Sequence, residues 1–414
     1  MSSARELRAL TIPREPGELT TVVAELRTAL DGTGPALLPL ATDDPASGET
    51  ARALGVGEPL AAAEDSESDP TSLVIATSGS TGRPKGVLLS ASALRASARA
   101  THDHLGGPGL WLLAMPAHHI AGIQVLVRSI VAGHAPETVD TREGFTAEAF
   151  ADAAEPLLRT EHRHYTALVP TQLGRLLDAA GDPRGLRALR AFDAVLLGGA
   201  AAAPDLLERA RAAGVNVVTT YGMSETAGGC VYDGTPLPGV GVHVEPPEPG
   251  RISLSGPTLA RGYRHSPSSG DPQHSGHSPD DGHTPERTAF EAGWFRTGDV
   301  GQWRDGHLEV LGRADDMIVT GAVKVVPAAV ERALTEHPDV REACVLGGPD
   351  PEWGQAVLAA VVPERDAPDE RELHTRVRRR LGAAAAPKRF VVLDELPLRG
   401  PGKPDKRALL EMFG

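Results

Sequence analysis

Short apolar runs at 73–76, 110–115, 165–169, 194–197 and 215–219 alternate with Ala/Leu/Arg-rich stretches whose apolar positions recur at helical spacing. This alternation predicts parallel strands joined by crossover helices. The helices are expected at 91–100 with Ser90 as N-cap, at 123–131, at 172–180, and at 204–213 with Pro204 in the first turn. That part of the chain reads as open α/β sheet. Between 236 and 311 the pattern shifts to short strand-like pieces separated by Gly and Pro, such as 251–255 and 307–311, which predicts a small β-rich subdomain. Within it, 264–293 is rich in His, Ser, Pro, Gly and Asp with almost nothing to bury, and reads as a mobile surface loop. Beyond it, a helix at 328–336, strands at 340–346 and 357–362, a helix at 370–381, a strand at 389–392 and a short helix at 406–412 make a compact α+β unit. The expected division is a large N-terminal domain over 1–312 and a smaller, mobile C-terminal domain over 313–414.

Composition narrows the function classes. A chain of 414 residues, 41% hydrophobic, buries at least one sizeable core, and aromatics at 4% leave small aliphatic side chains to fill it. The formal net charge of -14 disfavours nonspecific attraction to nucleic acid or an anionic bilayer, so an anionic substrate needs local donors. Cys230 and Cys344 stand far apart with no metal-site spacing around either and read as buried free thiols. The irregularly spaced His265, His274, His277 and His283 suit a solvated loop better than a metal site. No apolar stretch approaches the roughly 20 residues that span a bilayer, and no apolar leader follows the start, which points to the cytoplasm and no membrane insertion.

The strongest local chemistry lies directly after the first of those strands, in Thr77-Ser78-Gly79-Ser80-Thr81-Gly82-Arg83-Pro84-Lys85-Gly86. Glycines let backbone N–H groups approach phosphate oxygens, four hydroxyls donate to the same oxygens, and Lys85 adds positive charge. A Walker A loop requires Gly-Lys followed by Ser or Thr, whereas Pro84 precedes Lys85 here and Gly86 follows it.

This loop resembles the phosphate-binding signature of the adenylate-forming superfamily of acyl-CoA synthetases, luciferases and adenylation domains. Further pieces follow in the family's order: Pro116-Ala117-His118-His119-Ile120-Ala121-Gly122, Gly198-Gly199-Ala200, Tyr221-Gly222-Met223-Ser224-Glu225-Thr226, Trp294-Phe295-Arg296-Thr297-Gly298-Asp299, Gly312-Arg313-Ala314-Asp315-Asp316 and Gly402-Lys403-Pro404-Asp405-Lys406. The resemblance implies ATP, Mg²⁺ and coenzyme A as cofactor and co-substrates. It makes Thr77, Ser78, Gly79, Ser80, Thr81, Gly82 and Lys85 the phosphate loop, with Gly199, Tyr221, Gly222 and Ser224 completing the nucleotide site. Tyr221 offers a flat face for adenine, Ser224 a hydroxyl for the α-phosphate where the family usually has Thr, and Glu225 a hard oxygen for Mg²⁺. Asp299 and Arg313 are the implied ribose clamps. Lys403 matches the catalytic lysine, whose ammonium bridges two anions as a carboxylate attacks the α-phosphate. Asp315 resembles the hinge between two half-reactions, and Gly321 opens a path for the thiol arm.

The acid is less constrained. An amino-acid-adenylating domain carries an Asp in the segment corresponding to 115–121, and none stands here. His119 takes the position that lines the acyl pocket and gates the thiol path, although two adjacent histidines equally suit a satisfied loop pair. Thr171, Gly198 and Ala200 are further pocket candidates. The short segment ahead of the phosphate loop and the form of these motifs look most like the 2-succinylbenzoate:CoA ligases of menaquinone biosynthesis. Other aryl or medium-chain acid:CoA ligases stay open, as does a non-catalytic acyl-adenylate binder, against which Lys403 and Glu225 both speak. The lack of a following carrier-protein segment favours free coenzyme A, and related enzymes leave a homodimer open.

Overall fold

The computed structural model describes residues 5–13, 15–78, 84–179, 183–264, 289–321, 323–398 and 404–413. Two sheets form the body of the N-terminal part. In one, Leu7–Ile12, Ala36–Ala41 and Thr71–Ser78 run parallel, Pro84–Ser90 turns back antiparallel, and Gly262–Arg264 closes the edge. In the other, the parallel strands Glu137–Thr138, Leu110–Leu113, His164–Leu168, Ala194–Leu197 and Val217–Met223 are extended by the antiparallel Gly228–Tyr232 and Thr235–Pro236.

The run read as one open sheet from 73 onward is therefore divided between two. Thr71–Ser78 pairs with Pro84–Ser90 in register Thr77 with Lys85, so the hydroxyl-glycine loop joins two antiparallel strands. Near-continuous burial of Val87 to Ser90 marks that second strand. A short apolar run of this kind carries no period by which to identify it.

The helix Ile120–Ala132 is buried along most of its length, from Gly122 to Ile130, and contributes Ile123, Val125, Leu126 and Val127 to a core shared by both sheets. Apolar residues fall on every side of this helix, and its polar Gln124, Arg128 and Ser129 are buried with them, so it lies inside. Each fully buried Leu or Ile there contributes about 1.5–3 kcal/mol. A second core, around Phe150, Leu168, Leu173 and Phe192, covers the other face with the helices Ala147–Leu158, Pro170–Asp178, Pro183–Arg190 and Pro204–Ala212. The helix start at 91 falls where predicted, while those at 123 and 172 move outward to 120 and 170. Ser90 Oγ accepts the Ala93 N–H at 3.2 Å as expected, and Pro170 opens its helix two residues early because the Gln172 side chain accepts the Val169 N–H at 3.1 Å.

A five-stranded β-rich subdomain contains Gly241–Val244, Gly250–Ser255, Phe290–Glu291, Trp294–Arg304 and His307–Arg313. Most of the predicted loop, 265–288, lies outside the described residues, together with its four histidines. Its expected first residue, Arg264, instead ends a strand, is buried, and meets Glu64 at 2.5 Å. The described residues from 318 onward form the small α+β unit. Ile318–Thr320, Val323–Val325, Val340–Asp350, Gly354–Pro363 and Arg389–Val392 make its sheet, and Pro327–Thr335, Glu370–Leu381 and Lys406–Met412 its helices.

Candidate active site

The site is built where Ala194–Leu197 and Val217–Met223 end, at the carboxyl edge of the parallel strands, the position where open α/β sheets bind ligands. Close approach explains the glycines there. A Cβ on Gly222 would lie 2.1 Å from the Gly228 carbonyl oxygen, and one on Gly198 would lie 2.3 Å from Thr220 Oγ1. Gly199 has φ +81, which a side chain would strain. Just past the strand, Ser224–Thr226 makes one tight turn. Thr226 Oγ1 accepts the Met223 N–H at 2.9 Å and donates to the Gly228 carbonyl at 2.7 Å. The Ala227 carbonyl receives Ser97 Oγ at 2.8 Å and Gln124 Nε2 at 2.6 Å. Ser224 and Glu225 are thus carried on a turn pinned from both sides, with Ser224 buried.

Tyr221, on the same strand, donates its hydroxyl hydrogen to Asp299 Oδ2 at 2.7 Å. Asp299 sits opposite Arg313 in the hairpin register, and Arg313 Nε lies 3.8 Å from Asp299 Oδ1. Arg313 crosses Gly298 so closely that a Cβ there would come within 2.6 Å of its Nη2. Asp299 is 9% exposed, and burial raises its carboxyl above the ordinary value despite the hydrogen bond from Tyr221 and the nearby Arg313 charge. Burial, followed by the Asp299 charge, raises the Tyr221 phenol, so Tyr221 remains a donor. Arg313 is half exposed and also faces Asp315 at 3.6 Å.

A third constellation joins the strand Pro84–Ser90 to the turn. Lys85 Nζ stands 4.6 Å from the centroid of the Tyr263 ring, and the Tyr263 hydroxyl donates to Glu225 Oε1 at 2.8 Å. Tyr263 pairs with Val87, two residues along from Lys85, so the two side chains share a face of the sheet. Sequence reasoning missed Tyr263. Its one signal was an aromatic residue in Gly262-Tyr263-Arg264, at the edge of a stretch read as loop. Thr77 Oγ1 donates to the Lys85 carbonyl at 3.4 Å.

The remaining candidates are spread around these groups. His118 and His119 rings lie 4.1 Å apart, His118 the more buried, with burial lowering its pKa. His119 begins the helix Ile120–Ala132, and it is exposed, as are Thr171 and Ala200. Asp315 lies in the turn after Arg313 and is exposed. Gly321 has φ +53, and a Cβ on it would meet the Trp353 ring at 2.2 Å. Gly79, Ser80, Thr81, Gly82 and Lys403 fall outside the described residues, as does the side chain of Ser78.

Comparison with known proteins adds family evidence. Residues 17–264 match the AMP-binding enzyme family, and residues 329–403 match the AMP-binding enzyme C-terminal domain. A relative from Mycobacterium tuberculosis named probable 2-succinylbenzoate--CoA ligase is 44% identical over 413 residues, covering 98% of each chain. A 2-succinylbenzoate--CoA ligase from Bacillus licheniformis is 32% identical over 385 residues, covering 86% of this chain and 74% of its own. Among solved structures, o-succinylbenzoate CoA synthetase from Bacillus subtilis, in complex with its acyl-adenylate intermediate, superposes with a TM-score of 0.73 at 25% identity. The match covers 99% of this chain and 89% of that one.

Proposed function

This chain belongs to the AMP-binding enzyme family, and from that premise we propose that it is an ATP-dependent ligase joining 2-succinylbenzoate to coenzyme A, a step of menaquinone biosynthesis. The full-length match to a relative named for that reaction carries the choice of acid. The chemistry proceeds in two steps. A carboxylate oxygen of the acid attacks the α-phosphorus of ATP and pyrophosphate leaves, giving the acyl-adenylate. The thiol of coenzyme A then loses its proton and attacks the acyl carbon, and AMP leaves with the bonding pair.

The residues divide accordingly. The Tyr221 ring supports adenine while its hydroxyl fixes Asp299, which, with Arg313, holds the ribose hydroxyls. The loop from Thr77 through Ser78, Gly79, Ser80, Thr81 and Gly82 to Lys85 takes the β- and γ-phosphates, and Ser224 the α-phosphate. Glu225, a hard carboxylate whose Oε1 meets the hydroxyl of the same Tyr263 that Lys85 faces, would hold Mg²⁺. When bound there, the ion offsets phosphate charge. Lys403 joins the attacking carboxylate to the α-phosphate, and His119 guards the thiol path.

A domain boundary at 312/313 with Asp315 as hinge lets the C-terminal unit exchange Lys403 for a thiol channel beside Gly321. Among the described residues no helix is long and apolar enough to cross a membrane. The cytoplasm, which supplies ATP and coenzyme A, is the proposed place of work. The test is acid-dependent exchange of labelled pyrophosphate into ATP. Exchange is expected with 2-succinylbenzoate and is expected to vanish in Lys403→Ala, while that variant still converts preformed acyl-adenylate to thioester. Equal damage to both steps would remove Lys403 from its role.

A further inference from the structure

We propose that Tyr263 is a positioning residue that couples the two charged ends of the phosphate site: its hydroxyl orients the Glu225 carboxylate, and its ring seats Lys85. The inference rests on the nucleotide reading above and adds a residue that no motif supplied. Glu225 is held to the segment around Tyr263 twice. Its backbone carbonyl accepts the Ala260 N–H at 2.8 Å, and its Oε1 accepts the Tyr263 hydroxyl at 2.8 Å. The same segment is stitched to the phosphate-loop strand, since the Arg261 N–H donates to the Leu88 carbonyl at 2.9 Å and Tyr263 pairs with Val87. The ring is itself braced, edge-on against Phe290 with centroids 5.5 Å apart, and Phe290 lies against Phe295 at 4.7 Å.

A free glutamate carboxylate rotates about its last torsion and presents either oxygen in many directions. A hydroxyl fixed on Oε1 sets the carboxylate plane and directs Oε2 as the oxygen for a cation. Groups behind a ligand commonly tune metal affinity in this way. The Lys85 ammonium over the ring face is held by the ring's negative quadrupole, which limits the directions in which its long side chain presents charge to a phosphate. One aromatic side chain therefore aligns an anion and a cation that face the same triphosphate.

Tyr263→Phe separates the two roles, because it keeps the ring under Lys85 and removes only the hydroxyl. ATP binding is measured by calorimetry over a Mg²⁺ series with no acid present, alongside AMP binding without metal and a thermal melt. For Tyr263→Phe the Mg²⁺ concentration giving half-maximal ATP binding is expected to rise about tenfold, with AMP binding and melting temperature unchanged. Tyr263→Leu is expected to add a loss of metal-free ATP affinity as Lys85 loses its seat. A wild-type Mg²⁺ curve in Tyr263→Phe, or equal losses of AMP and Mg²⁺-ATP binding, would overturn the proposal. Wild-type protein that binds no ATP would instead count against the parent reading.

Discussion

The Tyr221 hydroxyl and the Asp299 carboxylate meet at 2.7 Å although they lie 78 residues apart in the chain. One belongs to the parallel sheet and the other to the β-rich subdomain, so this bond ties the two together across the proposed nucleotide site. It also commits one carboxylate oxygen to a protein donor, leaving Oδ1 the less occupied acceptor, with Arg313 beside it.

Asp299 is buried at a cost in stability. Burial raises its carboxyl above the ordinary 3.8, so the native state holds the proton more readily than the unfolded chain does. The associated stability is present below pH 3.8 and is lost as pH rises through the folded value, which makes the buried charge unfavourable at neutral pH. Asp299→Asn is expected to raise the melting temperature by roughly 1–3 °C at pH 7.5, with the gain disappearing in melts below pH 3.8. AMP affinity should fall roughly tenfold to a hundredfold through loss of charge-assisted bonds. A lower melting temperature at pH 7.5 would contradict this account.

Two glycines of the site differ in what surrounds them. A methyl on Gly222 meets a backbone carbonyl that cannot move without disturbing the strand pair, whereas the tightest contact of one on Gly198 is the Thr220 hydroxyl, which can rotate away, with the Thr220 carbonyl oxygen farther off at 3.3 Å. Urea unfolding should show a loss of about 1–3 kcal/mol for Gly222→Ala and under about 1 kcal/mol for Gly198→Ala. Equal losses would show that the two contacts are equally rigid.

Substitution at Asp315 tests the hinge. The backbone bonds of this turn are donated by Ala314 to Gly298 at 2.7 Å, by Asp316 to Arg313 at 3.2 Å and by Met317 to Ala314 at 3.2 Å. Proline at 315 leaves those donors in place and restricts φ. Single-turnover measurements on Asp315→Pro should show thioester formation slowed at least about tenfold more than adenylation, the pattern of an interaction needed only in the second step. Unchanged rates for both steps would count against a hinge here.

Burial pushes both thiols up to about 12. Because the thiolate is the reactive form, neither Cys230 nor Cys344 should react with an aromatic disulfide reagent at pH 8 in the folded protein. Both should react once the chain is denatured. Rapid labelling of the native protein would contradict their burial.

Features set by neighbouring residues were legible in the sequence. The helix Glu370–Leu381, the strand Arg389–Val392 and the helix Lys406–Met412 fall where amphipathic spacing and Gly/Pro punctuation put them. The division into two sheets was not, because the strand Pro84–Ser90 is almost uniformly buried and shows no alternation. The two strands of the first 70 residues, Leu7–Ile12 and Ala36–Ala41, went unread. Tyr263 was hidden for another reason. Its partner Glu225 is 38 residues away, and they meet only because an edge strand of one sheet folds over the end of another. Motifs report chemistry on one segment, while such contacts depend on how segments associate.

The most direct measurement of the reaction and its acid supplies purified protein with ATP, Mg²⁺ and coenzyme A and offers 2-succinylbenzoate, benzoate, octanoate and amino acids in parallel, reading acyl-adenylate and thioester by mass spectrometry. Adenylate and thioester are expected from 2-succinylbenzoate, with little from the others. Thioester from another acid with none from 2-succinylbenzoate would contradict it.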